Sequence, residues 1–323
     1  MKKLSMLLLI VSMFSCNVVS TSEVDESISS PSSIKFLAFG DWGRMGSQEQ
    51  ISNAEHMGSF ADQNPLDFIL STGDNFYDNG VASTEDPHWT ASFEDVYHHT
   101  SLMVPWYVVL GNHDYRGNVD AQIAYKSPNN DRWDLPARHY VKVFNKDSLK
   151  VALIILDTSP TETEYYSENK YKAVWDQDSS AQKLWFRSVM DTLTANYIFV
   201  AGHHPLYSGG KRLEETYSQL HHWEPLFRKY PVTAYLCGHE HDLQIHEADL
   251  GHQSPFLHII TGAGSEVRPT GTIPEESYAG SDVSTKFALS QNGFTVVECG
   301  VHSGKITLHS KGKKVYHRAI SPL

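Results

Sequence analysis

From residue 34 onward the chain is built of short apolar runs, rich in β-branched and aromatic residues, most of them stopped by a glycine-containing turn. Runs of that length and composition read as buried strands, and they predict strands over 34–39, 68–71, 106–110, 151–156, 198–201, 233–237 and 256–260. Between several of them the apolar period lengthens. Ile51, Ala54, Met57 and Phe60 recur every three residues; Leu213, Tyr217, Leu220 and Phe227 keep one helical face; residues 181–195 form a third helical stretch. Strand alternating with helix predicts an α/β protein with largely parallel pairing. The tail differs: runs at 294–298, 305–309 and 314–317, split by 300–304 and by Lys311-Gly312, predict an antiparallel meander. No repeat and no linker interrupts 34–323, so one domain is expected there.

The start of the chain has another character. Met1-Lys2-Lys3 precedes an apolar stretch over 4–14 and then Ser15-Cys16-Asn17, which reads as a secretory signal. The stretch is too short and too serine-broken to span a bilayer. Cys16 stands where a bacterial lipoprotein signal carries its lipidated cysteine, although Met13 replaces the usual Leu. Ordinary cleavage nearby is the alternative. Residues 17–33, rich in Ser with Glu and Asp, read as a flexible tether. The expectation is an exported monomer: periplasmic, secreted, or held at a membrane only through a lipid on Cys16.

Only Cys237 and Cys299 remain beyond that signal, too few for a disulfide framework. Cys237 lies in an apolar run and reads as a buried thiol; spacing alone leaves a Cys237–Cys299 bridge open. There is no Asn-x-Ser/Thr sequon. With 26 basic and 38 acidic residues the formal net charge is −12, which argues against a nucleic-acid partner. It does not argue against a small phosphate ester, because a bound metal outweighs global charge locally.

Five stretches carry the chemistry: Gly40-Asp41-Trp42-Gly43, Gly73-Asp74-Asn75-Phe76-Tyr77, Gly111-Asn112-His113-Asp114, Gly202-His203-His204-Pro205 and Gly238-His239-Glu240-His241. Each follows a predicted strand. In open α/β sheets ligands gather beyond the carboxyl ends of strands, and the glycine in each stretch is expected to allow a tight turn. Singly, a Gly-Asp turn is only a turn, Asn112 a turn residue and Tyr77 a packed aromatic. As an ordered set they make a site.

One metal ion takes three or four protein ligands. Here there are more, and they divide by hardness. Asp41, Tyr77 and one His suit trivalent iron; Asn112 and two His suit a divalent ion; Asp74, with two oxygens, can bridge them. His239 and His241 would project from one side of an extended segment, so that each reaches one ion. Two metals can clamp both the attacking and the leaving oxygen of an in-line displacement and supply a hydroxide nucleophile. His113 is the candidate proton donor to the leaving group, with Asp114 orienting its ring. Lys211 follows Gly209-Gly210, but no G-x-x-x-x-G-K-[ST] pattern exists; residues 208–212 read as a mobile loop at the site mouth.

In this order the blocks resemble the calcineurin-like metallophosphoesterase superfamily, and Tyr77 after Gly-Asp-Asn-Phe narrows the resemblance to the purple acid phosphatases of the small, tartrate-resistant type. It extends to Val104-Pro105-Trp106-Tyr107-Val108, to Gly117-Asn118-Val119 with Ala121-Gln122-Ile123-Ala124-Tyr125, and to Val232-Thr233-Ala234-Tyr235-Leu236-Cys237. The resemblance implies a four-layer α/β/β/α sandwich of two mixed sheets flanked by helices. It implies Fe(3+) on Asp41, Asp74, Tyr77 and His241, and a second ion, Fe(2+), Zn(2+) or Mn(2+), on Asp74, Asn112, His203 and His239. It implies hydrolysis of phosphomonoesters at acid pH by a metal-bound hydroxide. The expected substrate is a small phosphomonoester or a phosphoprotein, with contacts from Asn112, His113, His204, Lys211 and Arg212.

Two departures stand out. Where mammalian members have an acidic residue and then His, this chain has Lys211 and Arg212, so proton donation falls to His113 and the cationic loop is free to hold an anion. Residues 160–180 correspond to a loop that masks the site in mammalian members, without the cysteine that ties it there. The alternatives are a phosphodiesterase or nucleotidase on the same scaffold, or a non-hydrolytic surface protein that binds iron or uses it for redox chemistry.

Overall fold

The computed structural model describes residues 33–323 except 129, 275, 276 and 279–281. The expected signal, Cys16 and the tether up to residue 32 lie outside the described residues. The first sheet begins with β1 (Ile34–Phe39), β2 (Phe68–Ser71), β3 (Trp106–Val108) and the short β4 (Trp133–Asp134), all parallel. The second is built from β5 (Tyr140–Lys146), β6 (Leu149–Ile155), β7 (Tyr197–Ala201), β8 (Ala234–Cys237), β9 (Leu243–Asp249), β10 (Phe256–Thr261) and β11 (Asp282–Leu289), in the order β11-β9-β10-β8-β7-β6-β5. The chain then returns to the first sheet. There β12 (Gly293–Cys299), β13 (Gly304–Ser310) and β14 (Lys313–Ile320) form the expected meander and join β1 antiparallel.

Both sheets are therefore mixed. The expectation of largely parallel pairing holds for the central strands, β10-β8-β7-β6 and β1-β2-β3-β4. It fails at the flanks, where β5, β9 and β11 pair antiparallel. These strands gave no signal as apolar runs, because they carry polar residues among the apolar ones, as in Tyr-Val-Lys-Val-Phe-Asn-Lys of β5.

Side chains alternate faces along a strand, and β6 shows how the layers form. Val151, Leu153 and Ile155 share one core with Phe36 of β1 and with Phe199 and Ala201 of β7. Ala152, Ile154 and Leu156 point the other way, onto Phe186, Trp223 and Phe227. Those last three belong to α4 (Ser179–Thr192) and α5 (Tyr217–Lys229). On the other side, α1 (Gln48–Gln63) packs Phe60 against Phe294 and His309 of the first sheet. The short α2 (Pro87–Trp89) and α3 (Val119–Ala124) lie in the connections. The result is two mixed sheets with helices outside, the architecture implied above. Phe36 sits between the sheets, 4.6 Å from Phe68 and 5.3 Å from Phe199 by ring centroid. The carboxyl ends of the sheets are tied directly: Thr261 Oγ1 donates to Ala38 O at 3.0 Å, and Gly40 N to Thr261 O at 2.8 Å.

The helical faces differ in detail from the periodicity. Ile51 and Tyr217 are 42% and 56% exposed, and Leu213 belongs to a separate 3-10 turn, Leu213–Glu215. On α1 the buried place goes to Gln50, whose Oε1 accepts from Arg44 N (3.1 Å) and Gly46 N (3.0 Å) while its Nε2 donates to Ser92 O (2.7 Å). A polar residue is buried here because the loop after β1 needs its hydrogen bonds satisfied. Cys237 and Cys299 are both buried and free, on different sheets, so the open bridge is not formed. Among the described residues no helix is long and apolar enough to cross a membrane.

Past the end of β6 lies Asp157, buried and clipped to α4: its N donates to Gln182 Oε1, and Gln182 Nε2 donates to its O, each at 2.8 Å. Tyr115 OH donates to its Oδ2. Burial pushes this carboxyl up to about 7, against the opposing hydrogen bond from Tyr115. A folded-state pKa above the unfolded value means that the native state holds the extra proton. Stability from this group is thus full at low pH and is lost as pH rises toward about 7. Asp157→Asn should flatten that decline, worth on the order of a few kcal/mol. Denaturant melts between about pH 4 and 7 check it; parallel curves for the two proteins would show that Asp157 does not titrate in this window.

Candidate metal centre

The carboxyl ends of β1, β2, β3, β7 and β8 point to one rim, and the five stretches meet there. Asp41, Asp74 and His239 adopt left-handed backbone, with φ of 60°, 51° and 68°. Such conformations are uncommon away from glycine, though Asp and His tolerate them better than most. The glycines do something other than expected. Of those opening the stretches only Gly73 has positive φ; the others leave room. A Cβ on Gly111 would lie 2.2 Å from Asp74 N and 2.3 Å from Asp74 Oδ1, and one on Gly238 would lie 2.3 Å from Asp41 Oδ2.

Into that room two buried carboxylates and a phenol converge. Tyr77 OH lies 2.8 Å from Asp41 Oδ1, 2.9 Å from Asp74 Oδ2 and 3.1 Å from His241 Nε2. Beside it His203 Nε2 faces Asn112 Oδ1 and His239 Nδ1, each at 3.2 Å, and Asp74 Oδ1 at 3.4 Å. Asp74 therefore touches both groups. Two backbone amides steady the carboxylates: His113 N donates to Asp74 Oδ1 (2.8 Å) and His239 N to Asp41 Oδ2 (2.9 Å). His203 Nδ1 donates to Thr72 O at 2.9 Å, which leaves Nε2 as the free lone pair.

The electrostatics follow from burial. Burial works to raise the Asp74 carboxyl, but His203 and His113 outweigh it and hold it well below the usual carboxylate range. Burial works to lower His203, but Asp74 raises it to about 9. Burial, then the Asp41 and Asp74 charges, hold the Tyr77 phenol well above its ordinary value. The donor set fits a metal pair. Lone pairs of two carboxylates, an amide oxygen and several imidazoles converge on one another, and among the described residues the buried His241 Nδ1 has no hydrogen-bond partner. Hard oxygen donors gather around Tyr77, and nitrogen donors with an amide around His203.

Other predicted residues fall in place or out of it. His239 and His241 do reach different halves, yet through a bend at 238–242 rather than by strand alternation. Asp114 does not touch the His113 ring. It is buried, accepting from Gly111 N (2.7 Å), Asn75 Nδ2 (3.0 Å) and Gln122 Nε2 (2.9 Å), so its work is to pin the turns after β2 and β3. His113 instead donates from Nδ1 to Asp78 O at 2.6 Å, with Nε2 3.9 Å from Asp74 Oδ2. His204 is engaged at both ring nitrogens, by Thr158 Oγ1 and Tyr165 OH, each at 2.8 Å.

The loop at 208–212 separates the two expected cations. Arg212 lines a cleft of about 310 Å³ with His204, His239, Tyr165 and Tyr217, and pairs with Glu215. Lys211 is exposed and lines a different surface hollow with Arg268 and Thr270. Nor is the loop loose at its root: Glu240 Oε1 accepts from Ser208 Oγ (2.6 Å) and from Arg212 N, and Gly209 N donates to Gln244 Oε1 (2.8 Å). Glu240 sits between His239 and His241, and its spacing alone gives no sign of this role. Tyr165 and Tyr171 lie in a segment with no pattern that could have announced them.

The calcineurin-like phosphoesterase family matches residues 34–243. The chain is a calcineurin-like phosphoesterase of the purple acid phosphatase group. It is 32% identical to a tartrate-resistant acid phosphatase type 5 of Rattus norvegicus, over 90% of each chain. It is 36% identical to purple acid phosphatase 17 of Arabidopsis thaliana, over 81% of this chain and 78% of that one. Among solved structures it is similar to GAP50, the anchor in the inner membrane complex of Plasmodium (TM-score 0.73, 25% identity, 90% and 89% of the chains). A purple acid phosphatase from yellow lupin seeds shares the fold at TM-score 0.63 and 14% identity, over 90% of this chain and 54% of that one. This phosphoesterase is thus a metal-dependent hydrolase, and the cluster around Asp74 is its candidate centre.

A methyl group at Gly111 would collide with Asp74 from inside the cluster. Gly111→Ala should cost about 1–3 kcal/mol by overpacking and should also abolish metal-induced stabilisation, which for an intact site is about 2.7 kcal/mol at a hundredfold excess over Kd. Melting temperatures with and without added iron and zinc read both effects. An equal metal-induced rise in the variant would show that metal binding does not depend on the clearance between Gly111 and Asp74.

Proposed function

We propose that this chain hydrolyses phosphomonoesters with a ferric ion and a divalent ion side by side. The observation that carries the proposal is Tyr77, a buried phenol in hydrogen-bond contact with Asp41, Asp74 and His241. A phenol among carboxylates is the donor set of a hard trivalent ion. Fe(3+) would be held by Asp41, Asp74, Tyr77 and His241, and Fe(2+), Zn(2+) or Mn(2+) by Asp74, Asn112, His203 and His239. When bound, the pair supplies Lewis acidity toward the phosphoryl oxygens and acidifies the attacking water.

The residues of the chain supply the rest. His113 is partly exposed beside the cluster, with Nδ1 fixed on Asp78 O. A proton on its Nε2 is therefore aimed at the site and can pass to the leaving alkoxide. Arg212, at the cleft wall, offers a guanidinium to an anionic oxygen. Thr158 and Tyr165 fix His204 as part of the cleft floor. Export, either through a lipid on Cys16 or by ordinary signal cleavage, a monomeric state and a small phosphomonoester or phosphoprotein substrate belong to the same proposal.

Metal analysis and a visible spectrum, followed by turnover of an aryl phosphate against a bis-aryl phosphate, test it. Tyr77→Phe should bleach the visible band and keep part of the activity, since Asp41, Asp74 and His241 remain. An unchanged band would rule out iron on Tyr77. Preference for the diester would favour a phosphodiesterase. Metal-loaded protein inactive from about pH 4 to 8, the range over which such acids and bases titrate, would favour a binding role, in line with the similarity to GAP50, an anchor.

A further inference from the structure

Between β6 and α4 the chain makes three 3-10 turns, Ser159–Thr161, Thr163–Ser167 and Asn169–Val174. Two tyrosines of this segment turn inward, Tyr165 and Tyr171, with rings 4.0 Å apart. Their hydroxyls end on the nitrogen-rich half of the centre. Tyr165 reaches His204 Nε2. Tyr171 OH accepts from Asn112 Nδ2 at 3.1 Å and from Arg116 Nη2 at 2.8 Å.

The Asn112 contact has a chemical consequence. An amide side chain is nearly symmetric in shape, yet only its oxygen can serve a cation. Its NH2 end must be satisfied elsewhere, or the group can flip. A phenol oxygen has two lone pairs; Arg116, which can only donate, uses one and Asn112 uses the other. The Asn112 oxygen is then left facing His203 Nε2. Arg116 Nη1 also donates to Asp78 O at 3.4 Å, the carbonyl that accepts from His113 Nδ1.

We propose that Tyr171, braced by Arg116, is a positioning residue that fixes the Asn112 amide with its oxygen toward His203 and thereby sets the affinity of the divalent half for its ion. This rests on Asn112 being a ligand of that ion. Such outer partners of metal ligands typically change affinity or activity by 10–100-fold when removed.

The variant is Tyr171→Phe, which keeps the ring against Tyr165 and removes only the hydroxyl. Zinc is titrated into purified iron-loaded protein by calorimetry. The expected result is a zinc Kd raised by about 10–100-fold, an unshifted tyrosinate–iron band, and kcat restored at saturating zinc. Arg116→Ala, on the half-buried side of the contact, should move Kd the same way by less. Tyr166→Phe, whose hydroxyl bonds Pro160 O and whose side chain is half-exposed, is the control and should change nothing. An unchanged zinc Kd in Tyr171→Phe overturns the proposal, and so does raised activity at unchanged Kd, which would make the segment a cover rather than a support. Asn112→Ala separates the two levels. If it abolishes tight zinc binding while Tyr171→Phe does not, only the positioning role fails; if it too leaves zinc binding intact, Asn112 is no ligand and both fail.

Discussion

Buried negative charge at the strand ends is the constraint on which the rest of the structure depends. Asp41 and Asp74 are 0% and 2% exposed, and both lie against the Tyr77 hydroxyl. Charge taken out of water is costly unless paired and hydrogen-bonded. The fold meets part of the cost with the backbone amides of His113 and His239. It adds strain of its own: left-handed backbone at three site residues costs of order 1–3 kcal/mol each. A bound metal pair would offset the buried charge and so couple affinity for the ions to stability of the rim.

The polar residues around the cluster make sense from that constraint. Asp114 does no visible chemistry, yet it gathers Gly111 N, Asn75 N and the Asn75 and Gln122 amides. It holds the turns that present Asp74, Tyr77 and Asn112. Glu240 does the same for the loop that carries Arg212 to the cleft. Thr72 orients His203 through its carbonyl, and Thr158 orients His204 through its hydroxyl. Gly111 and Gly238 contribute by absence, since carboxylate oxygens of Asp74 and Asp41 occupy the space a methyl group would need. The centre is thus supported from beneath by polar contacts that are themselves buried, which gives precision to the ligands at the expense of tolerance to substitution.

Most of the central architecture was legible because its signals are local. A buried strand is a short apolar run, and β1, β2, β6, β7, β8 and β10 were all found that way to within a residue or two. The strands that were missed, β4, β5, β9 and β11, lie at or near the edges; β4 has only two residues, and in the others polar residues interrupt the apolar run. The helix faces were legible in extent but not in orientation. Gln50, Asn53 and Gln219 are buried because distant loops need their amides, and no periodicity of apolar residues can show that.

The candidate ligands were legible one by one, since chemistry at a strand end needs few residue types and the glycine before each marks the turn. By itself the sequence determined the parallel core, the set of donors and their order, because those are properties of residue type and spacing. Tertiary structure alone decided which donors touch. It put His113 on Asp78 O rather than on Asp114, divided Lys211 from Arg212, and brought Tyr171 from a patternless segment onto Asn112 and Arg116. Those contacts join residues far apart in the chain through single hydrogen bonds whose partners are fixed only when the two sheets and their connections pack together.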